Sequence, residues 1–282
     1  MTVQAPLLCI RNVQISINGK VLLNLPSLNV DTGEIHGIVG ESGSGKSLTL
    51  FGVMGLLASS LDIQGSIQLN GIELTQLEEK AWQGIRGKEI GMIFQEPMTS
   101  LNPVLTVGYQ IGESLTVHLG LKGEALKNKI AALLEQVGIP ADRANSYPDE
   151  LSGGQRQRVM IAMSIACEPA LLIADEPTTA LDVTVQAQIL SLLDTLKNKM
   201  NMGMLLITHD FGVVADVADH VVVMFRGEIV ESGTVSQVLK NPKHPYTKAL
   251  LECVPDAEGK KALKPIDYAW LKPKAVKAKT VK

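Results

Sequence analysis

The sequence predicts an α/β protein that is built around a parallel β-sheet. Residues 35–39, 171–174 and 204–207 form short apolar runs, as is typical of strands that are buried on both faces. Apolar residues between the second and third runs recur at helical spacing and share one face. They are Val185, Ile189, Leu192, Leu193 and Leu196. Strand, helix and strand in this order predict a crossover connection and therefore a parallel sheet.

Two other regions differ from this pattern. Residues 7–17 alternate loosely and are rich in β-branched side chains, which predicts an antiparallel β-strand beside the core. Residues 96–160 contain an amphipathic pattern with no strong strand signal, which predicts an inserted helical subdomain. That pattern is carried by Leu126, Ile130, Leu133, Leu134 and Val137. The apolar pattern weakens after Pro242, and the basic tail at 261–282 is predicted to be flexible.

Composition and charge exclude several classes of protein. The 282 residues carry a formal net charge of −3, which argues against a nucleic-acid partner. Cys9, Cys167 and Cys253 are scattered, which favours a reducing compartment and supports neither a disulfide framework nor a zinc site. The chain shows no signal-like start and no apolar run of about 18 residues. We therefore expect it to fold in the cytosol and to reach a membrane through partners.

Residues 40–47 match the phosphate-binding pattern GxxxxGK[ST]. Glycines allow backbone N–H groups to approach phosphate oxygens, and the helix that follows presents its positive end to the same anion. We expect Lys46 to bridge the β- and γ-phosphates of ATP, and the Ser47 hydroxyl to coordinate Mg²⁺. The predicted nucleotide contacts are Gly40, Glu41, Ser42, Gly43, Ser44, Gly45, Lys46, Ser47 and Leu48.

Two carboxylates follow the second apolar run, at Asp175 and Glu176. The carboxyl end of a parallel strand is where α/β proteins bind ligands. Asp175 is therefore predicted to hold Mg²⁺, and Glu176 is placed to polarise an attacking water as a general base. Two solvated acids at a strand end would be ordinary in isolation, but beside a phosphate-binding loop the catalytic interpretation is favoured.

A third motif, Leu151-Ser152-Gly153-Gly154-Gln155, lies between these two. Ser152 is a plausible helix N-cap by itself. In this order, however, the three motifs resemble those of ABC ATPases, and the resemblance covers residues 7–233. It implies a P-loop NTPase fold of the ABC ATPase type. Such a fold has a RecA-like parallel core, an antiparallel β subdomain and an inserted α-helical subdomain, and here it would span residues 7–240.

The resemblance also implies a role for individual residues. Gln95 would occupy the loop that joins the metal site to the membrane partner, and so counts as a catalytic and metal-binding candidate. His209 resembles the switch histidine that contacts the γ-phosphate, and Asp182 resembles a residue of the D-loop at a dimer interface. Ser152, Gly153, Gly154 and Gln155 would contact ATP that is held by a second ATPase subunit.

One position departs from the family pattern. ABC ATPases usually place an aromatic ring before the phosphate-binding loop, where it stacks on adenine, and the corresponding residue here is Ile17. An aliphatic side chain packs on a purine but lacks the quadrupole of an aromatic ring. We therefore expect weaker selection of the base and unimpaired binding of the triphosphate.

Two segments resemble a narrower group, the ATPases of oligopeptide, dipeptide and nickel importers. They are residues 95–103 and residues 244–250, the second within an importer-type extension at 241–260. This resemblance implies a heterodimer with a related ATPase, two transmembrane permease subunits, an external solute-binding protein and a location on the cytoplasmic face of the inner membrane. Some relatives carry a cysteine cluster in the extension. This chain has Cys253 alone there, so no iron–sulfur cluster is expected.

Other functions stay open at this stage. The chain could energise an importer of another small solute, since permease and binding protein select the cargo. A soluble ABC ATPase of repair or translation is a rival from another class. Such proteins usually show a coiled-coil insertion, zinc cysteines or two ATPase units, and none of these is visible in the sequence.

Overall fold

The strands of the computed structural model, which describes residues 5–179 and 181–253, join in one ten-stranded sheet. In chain order they are β1 (Leu8–Ile17), β2 (Lys20–Val30), β3 (Ile35–Val39), β4 (Asp62–Leu69), β5 (Ile72–Glu73), β6 (Ile90–Ile93), β7 (Leu171–Asp175), β8 (Gly203–Thr208), β9 (His220–Phe225) and β10 (Glu228–Thr234). Their order across the sheet is β5-β4-β1-β2-β10-β9-β3-β8-β7-β6.

The parallel half of the sheet consists of β9, β3, β8, β7 and β6. Every residue of β3, β7 and β8 is buried, which explains why their sequences are mostly apolar. Val39 pairs with Thr208, and Asp175 pairs with Ile207. The carboxyl ends of these three strands are therefore level, and the loops that follow them meet at one edge of the sheet.

The antiparallel half begins with β1, which pairs with β2 on one side and with β4 on the other. Inward-facing residues of β1 such as Leu8, Ile10 and Ile15 are fully buried, while Arg11 and Gln14 are exposed. This alternation is the reason the strand was recognisable in the sequence. A single bridge between Glu228 of β10 and Asn24 of β2 joins the two halves.

Helices cover the sheet and fill the long connections. They are α1 (Lys46–Met54), α2 (Glu79–Trp82), α3 (Pro97–Ser100), α4 (Val107–Leu119), α5 (Gly123–Gln136), α6 (Gly153–Ser164), α7 (Val183–Met200), α8 (Phe211–Val217), α9 (Val235–Lys240) and α10 (Pro245–Glu252). Two 3₁₀ turns, Ala141–Asn145 and Pro148–Glu150, lie between α5 and α6. The predicted helical insertion thus contains α3 to α5, both turns and the first part of α6. The basic tail at 261–282 lies outside the described residues.

Helix α7 illustrates how local signals define an element. Asp182 caps its first turn by accepting a hydrogen bond from the Val185 N–H at 2.9 Å. The helix ends at Asn201, which has a positive φ of 49°. Its buried face includes Ile189 and Leu193, as the helical spacing predicted. This is the crossover that makes β7 and β8 parallel.

The sheet separates two hydrophobic cores. One contains residues of the parallel strands and of α4 to α7. The other contains residues of the antiparallel strands, of α1 and of the opposite face of the parallel strands. A smaller third cluster joins the last residue of β3, Val39, to α8, α9 and Tyr246 of α10. The segment at the end of the described chain is therefore part of the packed structure and not a loose appendage.

Among the helices in the described part of the chain, none combines the length and the apolarity needed to cross a lipid bilayer. The longest, α7, has 18 residues. It carries Asp194, Lys197 and Lys199 in its second half, which a membrane span would rarely tolerate.

Candidate functional site

A cavity of about 1170 Å³ opens at the edge where β3, β7 and β8 end. Most of its lining comes from the phosphate-binding loop and from the residues that follow β7 and β8. The lining residues are Leu22, Glu41, Ser42, Gly43, Gly45, Lys46, Ser47, Leu48, Gln95, Asp175, Glu176, His209 and Leu250. Candidates that are far apart in sequence therefore share one cavity, since parallel strands deliver their carboxyl ends to one edge.

The loop between β3 and α1 depends on glycine at two positions. Gly45 has φ of +108°, a conformation that is strained for residues with a Cβ. At Gly40 an added Cβ would lie 2.3 Å from the carbonyl oxygen of Met224 in β9, which is far inside contact distance. The loop therefore packs against β9 so closely that glycine is required, and this packing fixes where its N–H groups point.

Lys46, the first residue of α1, turns back over the loop. Its Nζ donates hydrogen bonds to the carbonyl oxygens of Gly40 at 2.6 Å and Glu41 at 2.9 Å. Burial lowers the pKa of the ammonium group, although the nearby charges of Glu176 and Asp175 oppose that effect. The cation thus rests on backbone carbonyls at the centre of the cavity, where phosphate oxygens are a stronger alternative partner.

Glu176 is held by three side chains. Its Oε2 accepts hydrogen bonds from Gln95 Nε2 at 3.1 Å and from Thr179 Oγ1 at 2.8 Å. Its Oε1 lies 3.2 Å from Nδ1 of His209, which follows β8 and is 60% exposed. Burial alone would raise the pKa of Glu176, but hydrogen bonds from Thr179 and His209 outweigh it and hold that pKa below its ordinary value.

Backbone strain accompanies this arrangement. Glu176 has a positive φ of 46°, which is uncommon for a residue with a Cβ. Its N–H donates to the carbonyl oxygen of Ile207 at 2.9 Å and so keeps the residue aligned with β8. Such conformations persist only where the surrounding structure enforces them, and they occur often at functional sites.

Asp175 lies next to Glu176 and differs from it electrostatically. Burial raises the pKa of Asp175 to about 6, with a further increase from the negative charge of Glu176 and a partial offset from Lys46. Two neighbouring carboxyl groups with pKa values that are pushed apart are typical of sites that divide their roles. A cation bound beside Asp175 would remove the cost of ionising it.

Residues 152–155, which are predicted to contact ATP held by a second subunit, lie at the start of α6 and outside the cavity. Ser152 caps α6, with its Oγ accepting from the Gln155 N–H at 3.3 Å while Gln155 Oε1 accepts from the Ser152 N–H at 2.9 Å. Ser152 and Gly153 are exposed, and neither they nor Gly154 and Gln155 line the cavity of their own chain. Asp182 also lies outside it, at the start of α7. The structure thus brings the phosphate-binding loop (the P-loop, residues 40–47), Gln95, Asp175, Glu176 and His209 together, and leaves residues 152–155 apart.

Sequence reasoning missed two apolar walls of the cavity. Ile17, the expected adenine contact, is half-buried at the end of β1, and the described lining contains Leu22 of β2 in its place. Leu250 of α10 lines the same cavity, although the sequence predicted no nucleotide contact in the extension at 241–260. Pro245 and the His244 cap mark the start of α10, but no local signal shows which element the helix packs against.

A second cluster of ionisable side chains lies at the opposite end of β3. His36 of β3 faces His220 of β9 with ring centroids 4.8 Å apart, and His36 Nε2 lies 3.1 Å from Glu34 Oε2. The rings are nearly parallel, at 17°. The nitrogen lone pairs of stacked imidazoles lie in separate, nearly parallel planes, which disfavours a shared ligand, so we assign this cluster a structural role.

Comparison with known proteins identifies the family. The sequence profile described as ABC transporter matches residues 23–179, which is more than half of the chain. The chain belongs to this family. A second profile, described as the C-terminal region of oligopeptide/dipeptide transporters, matches residues 230–275 of this ABC transporter protein. The resemblance inferred from the motifs is therefore confirmed.

Individual relatives agree with the profiles. The chain is 53% identical over 244 residues to a peptide import ATP-binding protein of Brucella ovis, covering 83% of this chain and 72% of the relative. It is 52% identical over 241 residues to the dipeptide transport ATP-binding protein DppD of Haemophilus influenzae, with coverage of 84% and 73%.

A dimeric ATP-binding cassette in a post-hydrolysis state, bound to ADP and phosphate, superposes with a TM-score of 0.70 at 29% identity. The match covers 81% of this chain and 98% of that one. These likenesses confirm the predicted fold and the ATPase activity of the ABC protein. The role of each site residue stays a prediction, to which the geometry above adds physical support.

The contact between the P-loop and β9 generates a prediction. Gly40→Ala should weaken ATP binding about tenfold or more, because the new methyl group must displace either the loop or β9. Titration of the purified protein with a fluorescent ATP analogue measures the effect. Gly84→Ala is a matched control, since an added Cβ there meets its nearest neighbour at 3.4 Å. Equal ATP affinities of the two variants would show that glycine is not required at position 40.

Proposed function

We propose that this ABC protein is the ATP-hydrolysing subunit of an importer for peptides. The observation that carries the catalytic part is the convergence of Lys46, Glu176 and His209 on one cavity at the ends of three parallel strands. The peptide part rests on the C-terminal match and on relatives that are named for peptide and dipeptide transport. Those names favour peptides over nickel, the other cargo that the sequence suggested.

Hydrolysis needs a base that is ionised and aimed at the phosphate. Glu176 meets the first requirement, because its hydrogen bonds keep its pKa low. The bonds from Gln95 and Thr179 fix its orientation before substrate arrives, which avoids reorganisation during the reaction. We assign Glu176 the role of polarising the attacking water, and we assign Lys46 the role of binding the transferred phosphate.

Magnesium fits the oxygen donors of the same cavity. Ser47, Gln95 and Asp175 offer a hydroxyl, an amide and a carboxylate, which are hard ligands of the kind that Mg²⁺ prefers. Among the described residues, none donates a hydrogen bond to the buried Asp175 carboxylate, and burial together with the charge of Glu176 raises its pKa to about 6 despite a partial offset from Lys46. When bound, the ion would neutralise phosphate oxygens and position them for in-line attack.

Two copies of the fold are needed to complete the site in this proposal. The N-terminus of α6 carries exposed Ser152 and Gly153, and a helix N-terminus stabilises a phosphate brought to it. Since these residues do not line the cavity of their own chain, the phosphate would be delivered by a second ATPase subunit. Following the resemblance, we propose a related but distinct partner, so that the pair is a heterodimer.

Transport also requires contact with permeases. An apolar groove lies beside Gln95 and is lined by Leu56, Phe94 and Met160 among others. Phe94 is 47% exposed, and Leu56 is 43% exposed. We propose that this groove binds a permease, because Phe94 adjoins Gln95 and Gln95 contacts the base Glu176. Movement of the groove would thereby reach the catalytic carboxylate.

In this arrangement the subunit lies on the cytoplasmic face of the membrane, and a solute-binding protein delivers peptide to the permeases on the opposite side.

Glu176→Gln tests the catalytic assignment. The amide keeps the shape of the side chain and one acceptor oxygen for Gln95 and Thr179, but it is no longer a base. Steady-state ATP hydrolysis should therefore fall about 100-fold or more, while ATP affinity stays within a few-fold of the wild type. Phosphate release and equilibrium titration measure the two quantities. Unchanged turnover would falsify the role of Glu176.

The raised pKa of Asp175 predicts a pH dependence. A proton and Mg²⁺ compete for the carboxylate, so the gain in ATP affinity on adding magnesium should decline as the pH falls through about 6. Below that value the decline approaches tenfold per pH unit. Calorimetry with and without magnesium between pH 5 and 8 measures it. Asp175→Asn is the control for the titration of ATP itself, and an identical pH profile in both proteins would rule out Asp175 as the ligand.

Phe94→Asp tests the permease contact. A charge in the groove should abolish co-purification with permeases from detergent-solubilised membranes, because burying an unpaired carboxylate is costly. ATP binding by the isolated subunit should persist. Ile72→Asp in β5 is a matched control, since Ile72 is also 47% exposed and does not line the groove. Retention of the permeases by the Phe94 variant would exclude this groove as the docking surface.

A further inference from the structure

The start of α10 is tied to the sheet by one side chain. Glu231 of β10 accepts hydrogen bonds from the backbone N–H groups of Lys243 at 2.7 Å and His244 at 2.9 Å. The His244 ring in turn caps the helix by accepting from the Tyr246 N–H at 3.2 Å. These three bonds place the first turn of α10 at a defined point beside β10.

From that point Tyr246 projects into the interior behind the P-loop. Its side chain is fully buried, and it belongs to the cluster that contains Val39, the residue immediately before the loop. Its ring packs against Phe225 of β9 with centroids 4.4 Å apart. The hydroxyl oxygen accepts a hydrogen bond from the Glu41 N–H at 3.0 Å, across 205 positions of sequence. A segment near the end of the described chain thus supports the second residue of the P-loop.

The peptide group between Gly40 and Glu41 is therefore held at both ends. Its N–H donates to Tyr246, and its carbonyl oxygen accepts from Lys46 Nζ at 2.6 Å. Lys46 can exchange this carbonyl for phosphate oxygens only if the loop keeps its shape when the lysine leaves. The hydrogen bond to Tyr246 fixes the plane of this peptide independently of Lys46, so it is suited to preserve the cradle during that exchange.

One turn further along α10, Leu250 lines the nucleotide cavity itself. Residues four positions apart share a face of a helix, so Tyr246 and Leu250 reach the P-loop region from the same side. Leu250 and Leu22 supply apolar lining to a cavity whose other walls carry Lys46 and the two acids. The phosphates of a nucleotide would bind beside Lys46, and the aliphatic side chains of Leu22 and Leu250 suit a purine base.

We propose that the C-terminal extension is part of the nucleotide site, with Tyr246 as a positioning residue for the P-loop and Leu250 as a contact for the nucleoside. This inference rests on the proposed function only in requiring that the chain binds ATP. Because coupling between two binding events is reciprocal, docking of α10 increases nucleotide affinity, and bound nucleotide in turn stabilises the docked helix.

Two variants and two ligands separate these roles. Tyr246→Phe removes only the hydroxyl, so affinity for both magnesium-ATP and magnesium-tripolyphosphate should fall about two- to tenfold, the range expected for one hydrogen bond. Leu250→Ser should weaken ATP by a similar factor and leave tripolyphosphate unchanged, since tripolyphosphate has no base. Tyr109→Phe, at a tyrosine that is 61% exposed, is the matched control and should bind both ligands like the wild type.

Hydrogen exchange distinguishes positioning from a general loss of stability. In Tyr246→Phe the Glu41 amide should exchange faster while the urea midpoint of the whole protein changes little. In the wild type, magnesium-ATP should slow exchange in α10, and this measurement needs no variant to fold. If magnesium-ATP leaves hydrogen exchange in α10 unchanged, the proposed coupling between the docked helix and the nucleotide is wrong.

The outcomes separate this inference from the proposed function. Wild-type protein that fails to bind magnesium-ATP contradicts the proposed ATPase. If the wild type binds magnesium-ATP and both Tyr246→Phe and Leu250→Ser bind it with the wild-type affinity, the role of the extension alone is overturned. Equal weakening of both ligands by Leu250→Ser would refute the contact with the nucleoside.

Discussion

The parallel alignment of β3, β7 and β8 is the constraint on which the rest of the structure depends. Each strand is buried throughout, and their pairing brings their carboxyl ends level at one edge. The P-loop, the two acids and His209 follow directly from those ends. A shift in register by one residue would move each strand's side chains to the other face of the sheet. Such a shift would therefore remove apolar side chains from the core and separate the residues that line the cavity.

The charged side chains of the cavity lack full compensation by other groups of the protein. Lys46 rests on two carbonyls, Asp175 has a raised pKa, and Glu176 is ionised and held by its neighbours. In a low-dielectric site such groups gain more from a ligand of complementary charge than they would in water. A magnesium-nucleotide complex brings phosphate oxygens to the lysine and a cation to the acid at once. Binding of this complex thus stabilises both the Lys46 ammonium and the ionised Asp175 carboxylate.

The ABC protein presents its remaining motifs outward. Ser152 and Asp182 each cap a helix and are exposed, so their local roles are complete without a ligand. Val183, which follows Asp182, is 84% exposed although it is apolar. An exposed apolar side chain beside exposed helix N-termini suits a surface that a second subunit covers. The extension acts differently, since α10 turns inward and packs against the loop that its own chain provides.

The sequence alone determined the family, the three buried strands with their crossover helix, the helical insertion and most of the cavity. Buried strands are mostly apolar, apolar residues on a helix face recur about every 3.6 residues, and the P-loop requires glycine at particular positions. Each of these features is therefore encoded within a few neighbouring residues. Only the tertiary structure showed that Leu22 and Leu250 line the cavity and that Tyr246 reaches Glu41. Contacts of this kind join residues that are distant in the chain. Their partners are selected by how helices dock on the completed sheet, and no local pattern of residues records that choice.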